Sequence, residues 1–131
     1  MIEALKGFPE NTVAFAARGQ LTQSDYQTVV VPAVETALKT HKKLRVYYEI
    51  GSDFAGIDPG AVWEDFKIGV GYWLRWERIA VVTDIGWIRN TAWASGFLMP
   101  AKLKVFPTTE AAQARNWLAS GTFRTAARRV N

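Results

Sequence analysis

The chain has no cysteine and a single histidine among 131 residues. The first absence excludes disulfides, thiolate metal sites and a cysteine nucleophile. The lone histidine, His41, stands beside Lys42 and Lys43. It belongs to no catalytic motif and reads as a surface residue near a helix end. No run of about 18 uninterrupted apolar residues exists, so no helix spans a membrane. Residues 1–7 lack the basic and then apolar layout of a signal peptide. A cytoplasmic protein is the expectation, with peripheral membrane contact as its one extension.

Charge of one sign is also scarce. The net charge is +4, but Arg124, Arg128 and Arg129 sit in the last eleven residues, which hold no acid. The other 120 residues carry 13 basic and 12 acidic side chains. No basic stripe tracks a phosphate backbone, so nucleic acid is not an expected partner. The domain is read as 1–120 and the basic tail as 121–131. Asp53, Asp58 and the pair Glu64 and Asp65 lack the spacing of a calcium loop. Gly69-x-Gly71 lacks the setting of a dinucleotide fingerprint, and no serine sits in a nucleophile elbow. No metal, no cofactor and no enzymatic activity are expected.

What the chain does have is tryptophan. Five of its six tryptophans fall between Trp63 and Trp93. A buried indole removes roughly 150–250 Å² from water, and one small interior must also accept the strand residues. A second apolar surface is therefore expected, meeting something other than the core. Trp76, beside Arg75 and Arg78, and Trp93, near Arg89, read as side chains at a wet–apolar boundary, where tryptophan is favoured and arginine stems cover apolar surface.

Periodicity supplies the elements. Strands are expected at 2–5, at 12–18 with Val13, Phe15 and Ala17 on one face, and at 43–50, where Leu44, Val46, Tyr48 and Ile50 alternate with polar neighbours. Two more follow at 78–83 and 102–106. The first helix opens at Thr22, with Asp25 placed for a capping box. Pro32 interrupts it and predicts a kink. Residues 51–57 read as a loop, and Asp58-Pro59 as the N-cap and first position of a second helix reaching Trp73 or Leu74. Trp63, Phe66, Val70, Trp73 and Leu74 form its main stripe. A third helix is expected over 87–97. A fourth begins at 107–110, buries Ala111, Ala114, Trp117 and Leu118, and ends at Gly121. The order β-β-α-β-α-β-α-β-α predicts an α/β domain with a mostly parallel sheet and one antiparallel strand.

Particular words in the chain sharpen this. They are Gly19-x-Leu21-Thr22 with Asp25-Tyr26, Pro32-Ala33-Val34-Glu35, and Lys43-x-Arg45-Val46-Tyr47-Tyr48-Glu49. Arg78-Ile79-Ala80-Val81-Val82-Thr83-Asp84 and Val105-Phe106 follow, then Ala111-Ala112-x-Ala114-x-x-Trp117-Leu118. In order and spacing the chain resembles the SpoIIAA-like family, which shares the STAS-type fold and is linked to CRAL-TRIO lipid-binding domains. The resemblance implies a four- or five-stranded sheet with about four helices, mobile helices after the third and fourth strands, and association with membranes or nonpolar molecules. STAS anti-sigma-factor antagonists carry a phosphorylated serine in a motif close to Asp-Ser-Ser-Gly. Here that region reads Gly51-Ser52-Asp53-Phe54, so the motif is not reproduced, and Asp53 would repel a phosphate on Ser52.

The functional expectation is a non-enzymatic protein for a nonpolar, lipid-like ligand or a bilayer surface, reached through a movable aromatic helical cover. Trp63, Phe66, Tyr72, Trp73, Trp87, Trp93 and Phe97 would supply apolar contact, and Arg75, Arg78 and Arg89 would meet an anionic head group. The alternative is a STAS-type protein-interaction or regulatory module using the same surface for a partner or a second copy, with Ser52 as its regulatory residue.

Overall fold

Each β-α-β step crosses to the next strand in line. The computed structural model describes residues 1–96 and 98–130, with side chains through residue 120. Its five strands are β1 (Ile2–Ala4), β2 (Thr12–Leu21), β3 (Leu44–Ile57), β4 (Trp76–Thr83) and β5 (Lys102–Phe106). They lie in the order β1-β2-β3-β4-β5. β1 pairs antiparallel with β2, and every other pairing is parallel. Right-handed crossovers that always step the same way put their helices on one face. That face receives a continuous rod of α1 (Gln23–Asp25), a π-helical turn (Tyr26–Val30) and α2 (Val31–Leu38), followed by α3 (Pro59–Gly71) and α4 (Gly86–Gly96). Only α5 (Ala111–Val130), which follows the last strand, returns over the other face.

The local signals act as their chemistry dictates. Thr22 and Asp25 form a reciprocal capping box. The π turn leads directly into α2, whose second residue is Pro32. A widened turn there accommodates a ring that lacks an N–H and crowds the carbonyl four residues back. Ala114 and Leu118 of α5 are fully buried, as their spacing requires.

Three expectations change. Residues 51–57 are not a loop: β3 continues through them, pairing Phe54 with Gly19 and Ile57 with Leu21 across a bulge. Gly19 takes the left-handed backbone (φ +55°) at that irregularity, a conformation glycine adopts without strain. The second helix stops at Gly71, and Trp73–Arg75 form a single 3₁₀ turn. The fourth helix passes Gly121 and continues to Val130.

Candidate functional site

The two faces of the sheet are filled very differently. Under α5, Ala14, Tyr47, Ala80 and Val82 pack against Ala114 and Leu118, closed at the edge by Phe106 and Trp117. On the helix-rich face the sheet presents Phe15, Val46, Tyr48, Ile50, Ile79 and Val81. α4 lies on β4 and β5, but α3 leans chiefly on α1 and the π turn. Its seat there is tight. Ala61 and Glu64 are buried, Glu64 accepts from Gln23 Nε2 (3.1 Å), and a Cβ on Gly60 would come within 2.8 Å of the Gln23 side chain. The consequence is a cleft of about 770 Å³ between the sheet and helices α3 and α4.

That volume cannot be a dry void. Empty apolar cavities cost roughly 24 cal/mol per Å³, so about 770 Å³ would cost more than the roughly 5–15 kcal/mol that holds a whole domain together. The cleft is open to solvent along one side, and its size falls in the range of about 300–1,000 Å³ that suits a small molecule.

Its wall is almost wholly apolar. Phe66, Val70 and Trp73 come from α3 and the turn after it, Trp87, Ile88 and Ala92 from α4, and Leu98 and Met99 from the segment beyond. Thr91 and Ser95 also face it, but their hydroxyls donate to the carbonyls of Trp87 and Thr91 in their own helix. This back-bonding leaves their apolar surfaces toward the cleft. The polar exception is one cluster. The Tyr26 and Tyr48 hydroxyls are 3.0 Å apart, and Asp65 is close enough to interact electrostatically with Tyr26. All three line the cleft. Asp65 is exposed on the open side of the cleft, with the cleft wall crowding its carboxyl. This desolvation raises its pKa, against the opposing contact from Tyr26. Burial likewise pushes both tyrosines up, so their hydroxyls remain protonated donors.

The residues singled out in the sequence separate into groups. Phe66, Trp73 and Trp87 line the cleft. Trp63 stacks on Phe66 (centroids 5.9 Å apart, planes 20° apart) at its rim, with Lys67 Nζ 5.9 Å over the indole. Tyr72 packs against the core without lining the cleft, and Trp93 lies on α4 away from the cleft wall. Trp63, Phe66, Trp87 and Trp93 are between 56% and 65% exposed. Phe97 is outside the described residues. Trp76 is not a boundary residue: it is 6% exposed and donates to the Gly69 carbonyl (3.2 Å).

The three arginines do not gather around a head group. Arg75 donates to the carbonyls of Leu38, His41 and Lys42, closing the C-terminal end of α2. Arg78 is on the other face, donating to the Trp117 carbonyl (2.8 Å) with its guanidinium carbon 5.0 Å from the centroid of that indole. Arg89 donates to the Thr83 carbonyl (2.9 Å). Each guanidinium is thus committed to backbone carbonyls. Ser52 is exposed on the bulged end of β3, beside exposed Asp53. Asp58 occupies the N-cap of α3 by backbone conformation, but its side chain makes no cap bond and instead accepts from Gln20 Nε2 (2.6 Å). Among the described residues no group of three metal-ligating side chains occurs, and no helix is long and apolar enough to cross a membrane.

The Tyr26–Tyr48–Asp65 cluster was not legible as a site. Both tyrosines fit apolar stripes. The available signal was an acid, Asp65, set between Trp63 and Phe66 on a mostly apolar helix.

Comparison with known proteins bears on the fold. Among curated proteins none is similar in sequence. A crystal structure of an uncharacterised protein from the DUF3478 family with a SpoIIAA-like fold, from Shewanella loihica, superposes with a TM-score of 0.68 at 23% identity. The match covers 91% of this chain and 93% of that one. The SpoIIAA-like family model matches residues 12–119, a span from the start of β2 into α5 that includes every wall of the cleft, and the chain belongs to that family.

Proposed function

We propose that this SpoIIAA-like chain is a non-enzymatic binding module whose cleft takes up a nonpolar, lipid-like ligand. The observation that carries the reading is the cleft itself: about 770 Å³ lined by aliphatic and aromatic side chains, in a molecule whose other face is close-packed. Half-exposed Trp63 and Phe66 at the rim supply apolar surface for contact with a bilayer from which such a ligand would come. Organic extraction of the purified protein followed by mass spectrometry is the direct test. The expected result is one nonpolar molecule per chain, lost in the cleft-filling variant Ala92→Phe. Recovery of no such molecule, together with no uptake of an added uncharged alkanol, would overturn the reading.

A second reading has its own support. The SpoIIAA-like fold suggests a protein-interaction or regulatory module, and family membership speaks for that class. Trp93, exposed on α4 away from the cleft wall, favours a partner surface, and Ser52 is accessible to a modifying enzyme. Sedimentation of the chain over a concentration series, with and without Trp93→Ala, tests self-association at this surface. Liposome flotation at low and high salt separates a bilayer from a protein partner.

A further inference from the structure

Inside the cleft, hydrocarbon contact accounts for nearly the whole wall, and among the described residues one place gathers side-chain oxygens that could address a head group. Thr91 and Ser95 are spoken for by their own helix. The remaining side-chain oxygens among the described lining residues are the Tyr26 and Tyr48 hydroxyls and the Asp65 carboxyl, brought together from the π turn, β3 and α3. Their chemistry is one-sided. Among the described residues no ion pair to Asp65 occurs. The nearest cation along the helix, Lys67, is held by Glu64 at 3.0 Å. The three arginines of this region are bound to backbone carbonyls elsewhere. This carboxyl at the cleft has no ion-pair partner among the described residues, and bringing a second anion into the apolar cleft beside it would cost more than bringing a cation. An ammonium would donate to Asp65 and supply the missing charge, and the hydroxyl pair would remain as a short chain of donors behind it.

Resting on the proposed ligand-binding role of the cleft, we infer that Asp65, backed by Tyr26 and Tyr48, selects single-chain amphiphiles by head group, taking a cationic amine first, a neutral hydroxyl second and a carboxylate last. This reverses the expectation that arginines receive an anionic head. It also opposes the net charge of +4, which by itself would draw an anionic amphiphile toward the protein. The ranking is therefore not one that nonspecific attraction would produce.

The test uses three probes that share a chain and differ at the head: decylamine, decanol and decanoate. Each is titrated below its aggregation threshold at pH 8, with binding read by calorimetry and by tryptophan fluorescence. Decylamine is expected to bind about tenfold or more tighter than decanoate, in keeping with one charge-assisted hydrogen bond. In Asp65→Asn the ratio is expected to fall within about threefold, while decanol binding persists. Decanoate binding as tightly as decylamine, or an unchanged ratio in Asp65→Asn, would overturn the head-group inference and leave the cleft's role standing. Uptake of none of the three overturns both.

Discussion

Beneath α5, Tyr47, Ala80 and Val82 meet Ala114 and Leu118 with almost no surface left to water. Across the sheet, Val46, Ile79 and Val81 look over an open cleft toward α3 and α4. Both faces belong to the same parallel strands, and both are written in the same aliphatic residues. What differs is how the covering helix is held. α5 is pinned at Trp117 and Leu118, whose carbonyls accept from buried Arg78 and Arg45, and Arg45 also bonds Glu77 Oε1 at 2.6 Å. α3 is tied to the strands more lightly, by Trp76 Nε1 of β4 donating to the Gly69 carbonyl near its C-terminal end (3.2 Å). At its N-terminal half the polar bond runs sideways to α1, through Gln23 and Glu64. The close-packed layer and the open one thus differ in the number and placement of their polar anchors while sharing the same aliphatic residues.

Paired substitutions would break this comparison if it is wrong. The largest expected effect is Leu118→Ala, which should lower stability by about 3 kcal/mol in chemical denaturation, because a close-packed site cannot collapse around the loss. The corresponding truncation on the open face, Phe66→Ala, should cost less than about 1 kcal/mol, since its ring already borders open space. Enlargement should show the same asymmetry. Ala114→Phe should destabilise by about 2–3 kcal/mol through overpacking, whereas Ala92→Phe should be tolerated within about 1 kcal/mol and should fill the cleft. Equal costs within either pair would show that the cleft is not a distinct environment.

Two smaller effects depend on pH. The folded state raises the pKa of Asp65 through desolvation. It therefore favours the protonated form. The stability tied to that form is fully present below the unfolded value near 3.9 and is lost as pH rises through the folded pKa. Asp65→Asn should accordingly raise the melting temperature at pH 7 and match the parent near pH 3. Asp25 works in the opposite sense. Desolvation opposes ionisation, but its bonds with Thr22 and its contact with the chain's terminal ammonium hold its pKa below the usual value. Its contribution is present above the unfolded pKa and disappears as pH falls through the folded one, so Asp25→Asn should narrow the acid limb of the stability profile. The smallest change is expected for Asp84→Ala. This exposed carboxylate accepts from the Thr108 backbone (3.0 Å) and hydroxyl, so its loss should lower the melting temperature slightly in the same calorimeter.

Much of the frame was legible because local and long-range preferences agree there. The alternation at Leu44, Val46, Tyr48 and Ile50 and the capping box at Thr22 lead directly to the observed elements. The extension of β3 through Ile57 was hidden by Gly51, Ser52 and Asp53, which locally favour a turn. Pairing with 19–21 of β2 overrides that preference. The faces of Arg45 and Tyr47 were also obscure: alternation suggested solvent, but a helix returning from the far edge of the sheet buries both. Excess aromatic surface in the middle third was legible, and Trp63, Phe66, Trp87 and Trp93 remain substantially exposed. The fate of individual side chains was not. After the 3₁₀ turn at Trp73–Arg75 the chain is already in β4 at Trp76, paired with Leu44, and that register buries Trp76. No one-dimensional pattern says that an arginine beside a tryptophan will turn toward a carbonyl from another element.

The sideways seating of α3 has a kinetic meaning. A helix braced on its neighbour rather than on the strands can part from them without breaking a single rung of the β-ladder. Amide hydrogens of 62–71 should therefore exchange through a partial opening far cheaper than global unfolding, while those of β3 and β4 wait for the whole molecule to come apart. Traffic through the cleft and the permanence of the sheet would then run on separate clocks within one short chain.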